Sequence, residues 1–172
     1  MQGVLDDVAE AVRSYVGTGA VADYIPGLAS VPPDQFGMAL AMNDGELYGV
    51  GDWERPFSIQ SISKAFTLSL ALALDGVAVW NRVGRESSSF AFSSLAQLEA
   101  GDGIPRNPFV NAGALVVTDR LLSLTGSAQE SLLDFMRAET GNPLIAVDQE
   151  IAASEAEHGH RNAAIAHLLA SY

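Results

Sequence analysis

The residues best suited to covalent chemistry lie in FSIQSISKAFTLSLALAL, Phe57 to Leu74, where Ser61 precedes Lys64 by three positions. Lys64 is the only lysine in the chain, and arginine supplies the eight other strongly basic positions. On a helix, positions i and i+3 share a face, so the serine hydroxyl and the lysine amine are expected within hydrogen-bond reach. Lysine can act as a base because burial lowers its pKa, whereas arginine does not deprotonate. Bringing the amine from about 10.4 to near 7 takes a little over ~4 kcal/mol of environmental bias, hence a desolvated site. A serine in the first turn of that helix would also meet unpaired backbone N–H groups and the positive end of the dipole, a setting that favours an alkoxide or an oxyanion.

Spacing alone leaves an ordinary amphipathic helix open. Sixteen serines among 172 residues place one three positions before the sole lysine about one time in eleven by chance. What favours chemistry is selective use, since the one lysine occupies a mostly apolar helix rather than a charged surface. A Ser-His-Asp triad lacks support: no G-x-S-x-G occurs, and His158, His160 and His167 crowd the C-terminal end. His158 and His160 could hold a metal only with ligands from elsewhere, and they read as part of a solvated loop between helices. Asn107, Asn111, Glu155 and Asn162 are unremarkable by spacing. Asn111 reads as a helix N-cap, Asn162 as a first-turn residue and Glu155 as part of a solvated helix face.

Composition narrows the classes further. At 172 residues, 48% hydrophobic, with mean hydropathy +0.18, the chain reads as one globular domain or a large piece of one. A net charge of −12 argues against nucleic acid, which needs clustered Lys and Arg. The absence of cysteine removes thiol nucleophiles and thiolate metal sites. Ser69 and Asp75 interrupt the most apolar run, so no membrane span is expected. The acidic, amphipathic start MQGVLDDVAEAVRSYV does not read as a signal peptide, and a cytoplasmic location is the default.

The elements that must position Ser61 and Lys64 follow from periodicity. Leu5, Val8, Val12 and Tyr15 recur at helical spacing before Gly17, and the Pro-containing segment from Val21 to Asp34 reads as a connector. FGMALAM and ELYGVGD flank Asn43-Asp44-Gly45 and read as a hairpin. After Pro56 the period lengthens, and Ser58 is expected to cap a helix whose apolar face is Ile59, Ile62, Phe66, Leu70 and Leu74. VGRESSSFAFSSL and GDGIPRNPFV read as irregular, with a helix from about Asn111 to Leu124. Ser127 and Glu130 form a capping box for a helix that ends at Gly141. Helices are expected at roughly 146–157 and 161–172. A lone hairpin is marginal in water and wants helices or more strands.

Five stretches taken together resemble the serine-dependent glutaminases, a family related in fold to β-lactamases and penicillin-binding proteins. They are VADYIPGLA, FSIQSISKAF, VWNRVG, GIPRNPFVNAGAL and SEAEHGHRNAAIA, in the family's order and covering nearly the whole chain. The resemblance implies an α/β (α+β), β-lactamase-like fold, present as an N-terminal hairpin plus a mainly helical region. It also implies hydrolysis of L-glutamine to L-glutamate and ammonia, without metal or organic cofactor. Under it, Ser61 looks like the nucleophile, its backbone N–H half of an oxyanion hole, Lys64 the activating base and Tyr24 an active-site tyrosine. Ser61, Asn111, Glu155 and Asn162 match substrate-contacting positions. Glu can pair with the ammonium of a free amino acid, and Asn can donate to its carboxylate or amide oxygens.

The chain departs from the family's pattern at Ser87-Ser88-Ser89 and Phe92-Ser93-Ser94, where a proline and a glycine are replaced. A looser loop is expected there, with no transferred site residue touched. The resemblance covers the family's N-terminal portion, so residues 1–172 are expected to form an incomplete catalytic domain. Further tyrosines, a KSGVGG-like segment and the remaining strands belong to the rest of the family's length. Self-association into a homo-oligomer is expected from the resemblance, with no nucleic-acid or membrane partner. Two rivals stand beside it: another S-x-x-K serine hydrolase, and an inactive fragment serving as a binding or assembly module.

Overall fold

The structure, a computed structural model, describes residues 1–172 in full. The chain divides into two compact units, Met1–Ser58 with Gln149–His158, and Ile59–Asp148 with Gly159–Tyr172.

In the first unit, helix α1 (Gln2–Val12) is extended by a 3-10 turn at Arg13–Tyr15 and precedes the hairpin of β1 (Gly37–Ala41) and β2 (Leu47–Gly51). The strands are antiparallel, with Met38 opposite Val50 and Leu40 opposite Tyr48. All four are half-buried, while Gly37, Ala39 and Ala41 face solvent, so the pleat segregates an apolar face as period-2 alternation predicts. The turn matches the Asn-Asp-Gly signal. Gly45, at φ +90°, donates to the Met42 carbonyl at 3.0 Å, and Asp44 Oδ1 accepts from the Glu46 N–H at 3.0 Å. Gly49 is required for a different reason, since a Cβ there would stand 2.1 Å from the Trp53 indole. α1 packs on β2, with Leu5 buried and Gln2 Nε2 donating to the Gly49 carbonyl at 3.0 Å.

The same unit brings together two segments far apart in sequence. Helix α6 (Gln149–His158) packs on the 3-10 turn Pro26–Leu28, and the Gly27 N–H donates to Ser154 Oγ at 3.0 Å. α6 begins at Gln149, three residues later than the expected start near 146.

The second unit is helical. It comprises α2 (Ser63–Asp75), α3 (Leu95–Ala100), α4 (Asn111–Thr125), α5 (Ala128–Thr140) and α7 (His160–Leu169). Its main core joins Leu70 and Ala71 of α2 to Val116, Val117 and Leu121 of α4, with Val79 and Val83 from the intervening turn. A smaller cluster holds Leu98, Ala112 and Ile165. Arg120 on α4 clamps Asp75 at the end of α2 through two bonds of 2.7 and 2.6 Å. The expected cap of α5 is present, with Ser127 Oγ accepting from the Glu130 N–H, and α5 ends on Gly141 in the left-handed region. Helix α3 was not legible as an element, although Ser94 caps it by accepting from the Gln97 N–H.

Two expectations for residues 58–81 are corrected. A 3-10 turn at Gln60–Ile62 comes first, the α-helix proper starts at Ser63, and no side chain caps it, so Ser58 is not its N-cap. The buried face of α2 is Thr67, Leu70 and Ala71, whereas Ile62 and Leu74 are about half exposed. Ala71 is fully buried in the core that α2 shares with Val116, Val117 and Leu121 of α4. The successive helical segments over Gln60–Asn81 total 22 residues with a window of mean hydropathy 1.6, long and apolar enough by length and composition to cross a membrane, but Gly76, at φ +57°, turns the chain out of α2. Ser69 lies within α2 and Asp75 ends it. Its core face is covered by α4, and Asp75 is neutralised by Arg120.

Candidate active site

Ser61 lies in the 3-10 turn leading into α2, with an exposed side chain. The residue before it, Gln60, has φ +45°, a left-handed conformation that costs a non-glycine residue about 1–3 kcal/mol. The Gln60 carbonyl accepts from Ser63 Oγ at 2.7 Å, which helps hold that conformation. Nothing in the residue types around Gln60 signals it.

One turn further on, the half-buried Lys64 amine donates to the Phe109 carbonyl at 3.0 Å and to Asn111 Oδ1 at 2.7 Å. The ring of Phe92 lies 5.2 Å from it. These acceptors are neutral, and the ion pairs Arg13–Glu10, Arg82–Asp119, Arg106–Glu86, Arg120–Asp75 and Arg137–Asp134 all use arginine. Burial therefore lowers the Lys64 pKa, with no carboxylate to hold its proton on. The expected Ser61–Lys64 hydrogen bond is not made, because the lysine amine is turned to Phe109 and Asn111.

Asn111 is not the N-cap of α4. Val110 holds that position, at φ −71° and ψ 154°, and no side chain caps the helix. The Asn111 amide is used as a bridge instead, with Oδ1 accepting from Lys64 and Nδ2 donating to Asn162 Oδ1 at 2.9 Å. Asn162 sits in the first turn of α7, exposed, as its position predicts. Lys64, Asn111 and Asn162, from three helices, thus form one hydrogen-bonded line.

Tyr24 and Glu155 belong to the first unit, and both are exposed. Tyr24 lies ahead of the Pro26–Leu28 turn and Glu155 follows Ser154, so the Gly27–Ser154 bond ties their two segments together. The connector reading of Val21 to Asp34 missed this.

The divergent serine segment is held rather than loose. Ser88 Oγ contacts the Gln97 side chain at 2.8 and 3.0 Å and accepts from the Phe90 N–H at 3.2 Å. The segment also reaches the candidate site, since the Phe92 carbonyl accepts from the Asn111 N–H at 2.8 Å and the Ser93 carbonyl from Arg161 Nε at 2.9 Å.

A half-buried lysine with neutral acceptors, one turn from an exposed serine, is a constellation suited to acyl transfer. The chain's elements, an antiparallel hairpin in the first unit and a helical second unit, are those of glutaminases of β-lactamase-like fold. A sequence model of the glutaminase family matches residues 19–172, and the chain belongs to that family. It is 60% identical over 169 residues to the glutaminase of Streptomyces coelicolor, a match covering 98% of this chain and 55% of that protein. Among solved structures, the probable glutaminase ybaS superposes with a TM-score of 0.85 at 32% identity, over 97% of this chain and 55% of that one. Mglu in its tris and glutamate form gives 0.83 at 36% identity, over 96% and 38%. The chain spans about half the length of the curated relatives it matches.

Proposed function

We propose that the protein hydrolyses the side-chain amide of L-glutamine to L-glutamate and ammonia through an ester on Ser61. Lys64 in its neutral form takes the hydroxyl proton as Oγ bonds to the amide carbon and the carbonyl electron pair moves onto oxygen. Collapse of that intermediate expels the amide nitrogen, which receives the proton from Lys64 and leaves as ammonia. Water then attacks the ester carbon and gives a proton to Lys64. A second collapse returns Ser61 with its proton and releases glutamate. On the family resemblance, Asn111, Asn162 and Glu155 are assigned to the amino-acid portion of the substrate, Tyr24 is an active-site tyrosine, and the Ser61 N–H contributes to the oxyanion site.

The observation that carries this reading is the environment of Lys64: the sole lysine is half-buried, its pKa is lowered by desolvation, and its acceptors are uncharged. Catalytic hydrogen bonds often tighten only around substrate, so the Lys64 bonds to Phe109 and Asn111 are compatible with a role as base to Ser61. Glutamate in the Mglu structure supports the substrate class. A cytoplasmic location, homo-oligomerisation and the status of residues 1–172 as part of a larger catalytic domain belong to the same proposal.

A glutamine-derived electrophile is expected to label Ser61. Labelling that persists in Ser61→Ala overturns the ester. Ammonia release from glutamine, measured on the purified chain, is expected to disappear in Lys64→Ala. The rival reading of a binding or assembly module rests on the chain spanning about half of its relatives. Failure of the unaltered chain to turn over glutamine favours that rival.

A further inference from the structure

The Phe109 carbonyl that meets Lys64 is aimed by a residue the proposed chemistry does not use. Asn107 Oδ1 accepts from the Phe109 N–H at 2.9 Å and the Val110 N–H at 3.2 Å, closing a tight turn ahead of α4. Asn107 Nδ2 donates to the Glu86 carbonyl at 2.7 Å. Two backbone bonds run beside it, Gly84 N–H to the Pro105 carbonyl at 2.8 Å and Glu86 N–H to the Arg106 carbonyl at 2.9 Å, so segments 84–86 and 105–107 are laced together. Behind the turn, Gly113 of α4 approaches so closely that a Cβ would stand 1.9 Å from the Asn107 carbonyl oxygen. The turn is held on all three sides, and its open side presents the Phe109 carbonyl to the lysine.

We infer that Asn107 is a positioning residue for Lys64: by closing the 107–110 turn it fixes the Phe109 carbonyl as the wall and acceptor that hold the amine beside Asn111. This deepens the glutaminase reading, on which the value of Lys64 as a base rests. An asparagine suits the place better than an aspartate, because the same side chain must accept from two N–H groups and donate to a carbonyl. The charged groups of the laced segments, Glu86 and Arg106, neutralise one another at 3.1 Å. The groups that meet the amine, Phe109, Asn111 and Phe92, carry no charge.

Because the chain has a single lysine, labelling with 13C,15N-lysine yields one side-chain signal, which reports Lys64 directly. Its pKa in the parent chain is expected below the ordinary lysine value, as burial dictates. In Asn107→Ala the turn opens and water reaches the amine, so the desolvation that lowers its pKa is relieved and the pKa rises toward that of free lysine. In Asn107→Ser, whose hydroxyl can still accept from the residue two positions on, the rise is smaller. Ser127→Ala, which removes the α5 cap far from the turn, leaves the Lys64 titration unchanged and so separates positioning from general loss of stability. An unchanged titration in Asn107→Ala, or an equal shift in Ser127→Ala, overturns the inference. Should Asn107→Ala fail to fold, the serine variant decides by the same criterion. The readout is independent of turnover: a displaced Lys64 titration in a chain that releases no ammonia leaves this inference standing while the glutaminase reading falls.

Discussion

Ser61 and Lys64 have different demands, and the chain meets them differently. As the proposed nucleophile Ser61 needs access, and it is exposed on a turn whose preceding residue is held at φ +45°. As the proposed base Lys64 needs desolvation, and it is half-buried among neutral groups. Replacing Lys64 by Ala is expected to lower kcat by about 10²–10⁴, the usual contribution of a general base, and Arg is expected not to restore it because a guanidinium stays protonated. Ammonia release at several pH values checks both. Stability carries a second signature. A lysine whose folded pKa is lowered makes the folded chain bind fewer protons than the unfolded one between the folded pKa and about 10.4, so its penalty fades as pH rises through that window. The unfolding free energy of the parent relative to Lys64→Met is therefore expected to increase from neutral pH toward 10.4. A difference that is flat or falls with pH contradicts the burial of the amine. Tyr48, whose phenol is raised by its bond to Glu46, titrates nearby in pH but cancels in that comparison.

The elements place these residues through close backbone approach. α4 touches the turn before it at Gly113, where a methyl group has no room beside the Asn107 carbonyl. Gly113→Ala is expected to cost roughly 3 kcal/mol, the upper end of overpacking, and to displace the turn that faces Lys64. Chemical denaturation measures the first effect and the Lys64 NMR signal the second. The α2–α4 contact is pinned by Arg120, whose bonds hold the Asp75 carboxyl below its ordinary range. A carboxylate lowered in this way contributes stability above its unfolded pKa of about 3.9, and that contribution is lost as pH falls through the folded value. Arg120→Ala is accordingly expected to destabilise the chain near neutral pH and to lose its disadvantage in acid. Unfolding midpoints at pH 7 and below pH 3 decide this: an equal deficit at both assigns the effect to packing alone.

Taken whole, the molecule is strongly acidic, with 21 Asp and Glu against 9 Lys and Arg. Self-repulsion is expected to be relieved by salt. Raising ionic strength from about 10 to about 150 mM shortens the Debye length from about 30 to about 8 Å, and the melting temperature should rise; a fall points to attractive pairs outweighing repulsion. What the sequence determined by itself was whatever depends on neighbours in the chain. Asp44-Gly45 specifies the hairpin, Ser127 and Gly141 delimit α5, and the order of five motifs identifies the family. Local pattern misjudged Asn111, which reads as a cap and is a bridge to Lys64 and Asn162, and Ser58, which reads as a cap and is not one. It was silent on Asn107 and on the Gly27–Ser154 bond, whose partners stand 127 residues apart. These were settled only by tertiary structure, because desolvation of an amine and the supply of its acceptors are set by what packs against it. For Lys64 that is a carbonyl and an amide contributed from 45 and 47 residues further along the chain.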